Sequence, residues 1–309
     1  MNRRGYITLL GTLGVVPVSG CVSDSTGMPE NGGTRGDNPP NSSYPDYDAG
    51  EVVKSEDVLK ESAPIYLEAK SESVELPKGS VGLTLHNNRS AAFETNFSHL
   101  RLHRWEDGRW WYVSPQSGSG LLQSLPGDGE HEWVAQIRNT DLTPVPIDDY
   151  GESQLRFRGL GGGSYAFSID GAWRDTGTET VAATRVELRG EQVSVRPSEL
   201  VTGTRREGST VTVIADRYPN EDGGRESELI VRRTDGEPEE RAITEQLLRD
   251  WPLREAMAQF EPDVDEVRVL APTYGSTTFY DGVETTFGHD EETFSVKSQF
   301  RESTTETER

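Results

Sequence analysis

Cysteine is nearly missing from this 309-residue chain: there is one, Cys21. A single thiol closes no disulfide within the chain, so the exported domains inferred below must be held by packing alone. Lysine is scarce too, with only Lys54, Lys60, Lys70, Lys78 and Lys297 beside 26 arginines. Asp and Glu number 53 against 31 basic residues, a formal charge of -22. That excess excludes a generic nucleic-acid binder, because a phosphate backbone binds a basic face that can release its counterions. Long apolar runs are absent after residue 21, so nothing there approaches the ~20 residues of a membrane-spanning helix. No phosphate loop, dinucleotide glycine fingerprint or nucleophile elbow occurs; a Ser-His-Asp triad on scattered residues is left open.

What is present begins with the kind of charge. Carboxylates spread along a lysine-poor chain resemble the proteins of halophilic archaea, where net charge keeps a protein soluble as salt shortens the screening length to a few ångströms. Most Asp and Glu are therefore expected to face solvent.

The first residues read as an address. Arg3 and Arg4 precede a weakly apolar stretch from Tyr6 to Val18, which closes on Ser19-Gly20-Cys21. This order resembles a twin-arginine export signal with a lipobox. It implies cleavage before Cys21, a lipid on its thiol, and attachment to the outer face of the cell membrane. Loss of both arginines takes the formal charge to -24. From Val22 to about Gly50 the chain is Gly, Pro, Ser, Asn, Asp and Thr, too poor in aliphatic residues to offset its ordering entropy, and residues 21–54 read as a flexible stalk. Asn41, Asn88 and Asn96 each head an Asn-x-Ser triplet and are candidate glycan acceptors.

Residues 55–197 read as all-β. Short period-two runs, among them 81–86, 99–105, 109–113, 131–137, 165–169 and 181–188, are broken by Glu106-Asp-Gly108, Pro126-Gly-Asp-Gly129 and Gly161-Gly-Gly163. Such spacing predicts an antiparallel sandwich. Leu83-Thr-Leu85-His-Asn87-Asn-Arg-Ser90, Leu100-Arg-Leu102-His-Arg-Trp105-Glu-Asp-Gly108-Arg-Trp110, Leu125-Pro-Gly127 and Leu160-Gly-Gly-Gly163-Ser-Tyr165-Ala-Phe167 resemble the bacterial immunoglobulin-like domains of surface lipoproteins. The resemblance covers about 40% of the chain and implies a fold, not an activity. A second tryptophan at Trp111 and an acidic loop over 140–154 depart from its pattern.

Residues 198–300 read as a smaller α+β module of no recognised family. Strands are expected at 209–215, 228–231, 267–270, 277–280 and 293–296, with a helix from Pro238 to about Phe260, kinked at Asp250-Trp-Pro252. The tail, 301–309, is expected to be disordered.

Candidate sites are few. His99 and His103 sit ~13 Å apart on an extended strand at ~3.3 Å per residue, too far to share an ion. His131-Glu132 opens like a zinc-protease helix, but Ala135 stands where the second histidine belongs. Asp148, Asp149 and Glu152, or Asp216 with Asn220, Glu221 and Asp222, lack calcium-loop spacing. His289 reads as a loop residue. No metal or cofactor is therefore expected. Trp110 and Trp111 are strand neighbours pointing to opposite faces, so one of them should lie near solvent and offer a face to a glycan or a surface protein. The leading expectation is a non-catalytic, lipid-anchored interaction or ligand-binding module on the cell surface. An enzyme with a site among Glu228, Arg232, Trp251, Tyr274 and His289 is the alternative, and a transporter's solute-binding component ranks third.

Overall fold

A computed structural model describes residues 43–57, 59–60, 62–116, 121–145, 147–216, 225–273 and 284–300. Arg3, Arg4, Cys21, Asn41, Asn220, Glu221, Asp222, Tyr274, the strand expected at 277–280 and the tail 301–309 lie outside the described residues. In chain order the first part contains β1 (Glu51–Lys54), β2 (Ile65–Ala69), β3 (Ser73–Glu75), β4 (Lys78–Asn87), β5 (Phe93–Thr95), β6 (Arg101–Glu106) and β7 (Arg109–Ser114). It continues with β8 (Gln123–Leu125), β9 (Glu130–Arg138), β10 (Asp149–Tyr150), β11 (Gln154–Phe157), β12 (Gly163–Trp173) and β13 (Glu179–Arg189). The second part holds β14 (Val201–Glu207), β15 (Thr210–Ala215), β16 (Arg225–Thr234), β17 (Glu240–Arg241), α1 (Thr244–Leu247), α2 (Leu253–Met257), β18 (Glu266–Thr273), β19 (Thr285–His289) and β20 (Glu292–Phe300).

The first part is two sheets sharing one core. Strands β1, β3, β5, β6, β7, β8, β12 and β13 form one sheet; β10-β11-β9-β4-β2 form the other in that order. Alternation explains the layering. Val81, Leu83 and Leu85 of β4, with Trp133, Ala135 and Ile137 of β9, point inward against Leu102, Tyr165, Phe167 and Ile169 of the opposite sheet. Glu68, Thr84 and Glu132 line up across β2, β4 and β9 on the outer side. The β6–β7 hairpin closes on Asp107 and Gly108 with φ of 51° and 78°. Two successive left-handed residues give a turn whose twist matches its strands, and Asp-Gly suits it. Three pairings are parallel, β1·β13, β3·β13 and β9·β11, so the part is not wholly antiparallel as expected.

The stalk expected over 21–54 needs correction. Residues 43–57 belong to the folded body: Tyr44 and Tyr47 are buried on the outer face of the first sheet against Ala166, Val181 and Ala183. Beyond them, β1 adds to β13 with Val53 in the main core. Two tyrosines and a valine bury enough apolar area to hold this strap. Averaged with their Gly, Ser and Asp neighbours, they disappear into a linker-like composition.

The second part is a seven-stranded sheet, β14-β15-β18-β16-β20-β19-β17. Its inner face, with Val213, Val231, Val267 and Phe294, packs on Leu247, Trp251, Leu253 and Ala256 of the helical segment. The long helix expected from Pro238 is also corrected. Residues 240–241 instead form β17 beside β19, and helix begins only at Thr244, where Gln246 Oε1 accepts the Ile243 N–H at 3.1 Å. Pro252, which has no N–H to donate, separates two short helices at the expected break.

Candidate functional site

Several of the charged side chains that the fold buries, among them Arg104, Glu245, Arg254 and Glu255, lie between the two parts. Ile243 belongs to the core of the first part, and Glu245, one residue into α1, is fully buried beneath the Gly161–Gly163 turn. The Glu245 carboxylate pairs with the Arg104 guanidinium of β6. It also accepts the Gly161 N–H at 2.9 Å and the Tyr165 hydroxyl at 3.1 Å. Arg104 continues to Gln192 at 2.6 Å and Glu106 at 2.8 Å. A side chain at Gly161 would meet Glu245, Arg104 and Gln192, so the glycine run serves this close approach besides the turn.

The same helical segment supplies more such contacts. Arg249 holds Asp148 with two parallel bonds, Nε to Oδ2 at 2.7 Å and Nη2 to Oδ1 at 2.8 Å, a planar fork on a carboxylate. Asp148 also accepts from Ser114, which in turn accepts from the Tyr150 hydroxyl. Gln246 Nε2 donates to the Tyr112 carbonyl at 2.9 Å. Arg254 donates to the carbonyls of Arg196 and Leu142, and Glu255 accepts the Ser198 N–H at 2.9 Å. Burial pushes the Glu255 carboxyl up and the Arg254 guanidinium down. Asp250 is pushed up to about 7 by burial, with only the Leu253 N–H pulling the other way. These side chains form a polar seam bonded in part to one another and to backbone, with Glu245 Oε2, Asp250 Oδ1 and Glu255 Oε1 buried without a hydrogen bond. Chemically it fixes orientation, locking the second part onto the first.

The paired tryptophans separate as expected of strand neighbours. Trp111 is only 8% exposed, its indole N–H donating to the Glu106 carbonyl at 3.0 Å and its ring covered by the Arg109 guanidinium 3.4 Å away. It is therefore removed from the candidate binding face. Trp110 is partly open and meets Trp105 edge to face across the hairpin, with ring centroids 5.4 Å apart. Arg109 beside it feels the charges of Glu240 and Arg241 from the second part. Trp105, joined to Trp110 by this register, was legible in the sequence through the hairpin it flanks.

Of the histidines, His103 packs between Tyr47 and Tyr112, and burial draws its imidazole down to about 3. His99 precedes β6, and His131 lies flat on Phe97 with centroids 3.7 Å apart. His289 turns Nδ1 toward the Ala242 carbonyl at 3.1 Å. Glu228 and Arg232 lie on the outer face of the second sheet, in an ion-pair chain through Glu266 and Arg268, whereas Trp251 is in the core beneath the inner face. Of the residues named for an enzymatic pocket, the described Glu228 and Arg232 thus do not converge with Trp251. A shallow groove of about 440 Å³ is lined by Arg233, Phe260, Glu261, Pro262, Asp265 and Glu292, and its Arg233 already pairs with Glu292 at 2.9 Å. Asn88 is exposed, but its amide nitrogen donates to the carbonyls of Lys60 at 2.8 Å and Ala63 at 2.9 Å. The Asn96 side-chain oxygen accepts the Ser98 N–H.

No family model and no curated protein matches the chain. Among solved structures it is similar, at a TM-score of 0.25 and 13% identity, to an X-ray structure of Northeast Structural Genomics Consortium target SoR45, over 41% of this chain and 88% of that one. It is similar, again at 0.25 and with 8% identity, to Spo0M, a sporulation control protein from Bacillus subtilis, over 42% of this chain and 51% of that one. The match thus spans about half the length of Spo0M, and at these scores neither likeness bears on fold or activity.

Proposed function

We propose that the chain is an exported, lipid-anchored protein of the cell surface of a halophilic archaeon, and that it works as an interaction module. The observation that carries the reading is the position of the sole cysteine: Cys21 follows Arg3-Arg4, a short apolar run and Ser19-Gly20. Two facing sheets over one core support the immunoglobulin-like reading of the first part. The partner-binding surface is the Trp105–Trp110 pair, an aromatic ledge suited to a sugar face or a protein. The intact mass of protein taken from native membranes tests the anchor. A chain starting at Cys21 and carrying lipid is expected; residues 1–20 still attached, or a bare thiol, would overturn it.

A further inference from the structure

The outward side chains of the first sheet line up in a row that starts at the paired tryptophans. Trp110 faces Trp105 across the β6–β7 hairpin. In the pairing of β12 with β6, Tyr165 faces Arg104, so the next residues along, Ser164 and Trp105, are neighbours on the outer face. Ser164 pairs in turn with Glu187 of β13. From Trp110 to Glu187 the row crosses four strands, a span of ~14 Å at ~4.8 Å per strand. All four residues are partly open to solvent. The adjacent row is covered instead: Tyr47 lies against His103, and Tyr44 and Tyr47 bury Ala166, so the strap walls the row on one side.

The chemistry changes along this row. At one end two indoles meet edge to face; at the other the Ser164 hydroxyl donates to Glu187 Oε2 at 2.6 Å. Among the described residues Glu187 forms no ion pair and Ser164 is the one side chain bonded to it, whereas Arg185, on the covered row, is held by Glu56. A carboxylate accepts up to about four hydrogen bonds, so Glu187 has capacity left for a ligand's donors. Because β6 and β12 are interior strands, this face offers no sheet edge to which a peptide could add as a strand. What fits the row is a flat molecule with an apolar face for the indoles and hydroxyl donors at its rim, which describes a sugar ring. Acidic sugars are disfavoured by Glu187 itself and by the net charge of -22. We propose that this row binds a neutral glycan, a short oligosaccharide stacked on the tryptophans at one end with its hydroxyls on Ser164 and Glu187 at the other. The inference rests on the reading of the Trp105–Trp110 pair as the partner-binding surface and names the chemistry of the partner.

The test titrates cellohexaose, maltohexaose and mannohexaose into the full-length protein in a sugar-free detergent, with an oligogalacturonate as the acidic control, and reads binding by calorimetry. At least one neutral hexasaccharide is expected to bind, and the oligogalacturonate to bind several-fold more weakly. Trp105→Ala should abolish the binding. Glu187→Gln, a surface change that keeps the side chain's shape, should weaken it about tenfold at an unchanged thermal midpoint, so the test stands even where the tryptophan variant fails to fold. No binding by any neutral hexasaccharide, equal affinity in the parent and the Glu187→Gln chain, or an oligogalacturonate bound as tightly as the neutral sugars would overturn the proposal. Pull-down from detergent-solubilised membranes separates this failure from that of the reading beneath it. Protein capture lost in Trp105→Ala, with no sugar bound, removes the glycan and keeps the ledge; capture unchanged, with no sugar bound, removes both.

Discussion

Arg104 and Glu245, 141 residues apart in the chain, form an ion pair in which both side chains are buried, one from the first β-part and one from the helical segment of the second. Because the pair is sealed from water, losing one partner leaves the other charged and desolvated. Glu245→Gln should therefore destabilise the protein by about 3–5 kcal/mol, and Arg104→Met with Glu245→Met should recover much of that loss. Equilibrium denaturant unfolding of the three chains checks it. A single variant that unfolds at the midpoint of the parent would show that the seam is dispensable.

The same seam predicts one cooperative unfolding event. Ile243 sits in the core of the first part, and Arg249, Gln246, Arg254 and Glu255 are all bonded to residues before Val201. Separate expression of 55–197 and 198–300 should give two chains that each expose an apolar strip and buried charges, and that aggregate. Calorimetry of the whole chain should show one transition. Two transitions, with soluble separate parts, would argue that the seam is only a docking contact.

This coupling marks the limit of what the sequence discloses. Period-two alternation at Leu83, Leu85, Trp133, Phe167 and Ile169 marks sheet layers because inward residues must be apolar and outward ones need not be. The opposite faces of Trp110 and Trp111 follow from the same geometry. Arg104 and Glu245 carry no comparable local signal: in a chain with 53 acidic residues, a glutamate on a short helix looks like solvated surface. Only the three-dimensional arrangement identifies its partner. Residues 43–54 were obscured by averaging, since two tyrosines fix a segment whose mean composition is that of a linker.

Asp250 sets a pH dependence. Its folded carboxyl titrates near 7, against 3.8 in an unfolded chain, because burial disfavours the anion. Between these values the folded state keeps a proton that the unfolded state has released, so stability is full below about pH 4 and falls as pH rises to about 7. The loss is on the order of 4 kcal/mol at ~1.4 kcal/mol per unit. Asp250→Asn should flatten that slope in denaturant titrations at a series of pH values. An unchanged slope would assign it to other groups.

Trp111→Ala and Trp110→Ala should behave differently. Trp111 is buried under Arg109 and donates to the Glu106 carbonyl, so its truncation should cost about 3–5 kcal/mol. Trp110 is more open, and its truncation should cost less stability while reducing capture of a partner. Thermal midpoints, together with pull-down from detergent-solubilised membranes in high salt, separate the two effects. Equal loss of stability at both positions, with capture unchanged, would remove the Trp105–Trp110 ledge from the binding role.

Net charge sets the last expectation. With 53 acidic and 31 basic residues, the folded chain concentrates a formal -22 in a body about 50 Å across. At 0.01 M salt the screening length is ~30 Å, comparable to the body itself, and like charges repel across it; at 1 M it shrinks to ~3 Å and the repulsion is confined to near neighbours. Exposed ion pairs such as Lys70–Glu132 and Arg156–Asp149 respond in the opposite direction, weakening as salt rises, but pairs of this kind each contribute only ~0–1 kcal/mol. The repulsion of the 22 unmatched charges should dominate, so the thermal midpoint should rise steadily from dilute buffer to molar salt. Circular dichroism during stepwise dialysis, read at the strand band, checks this. A midpoint indifferent to salt would count against adaptation to a saline environment and leave the carboxylate excess as a solubility feature alone.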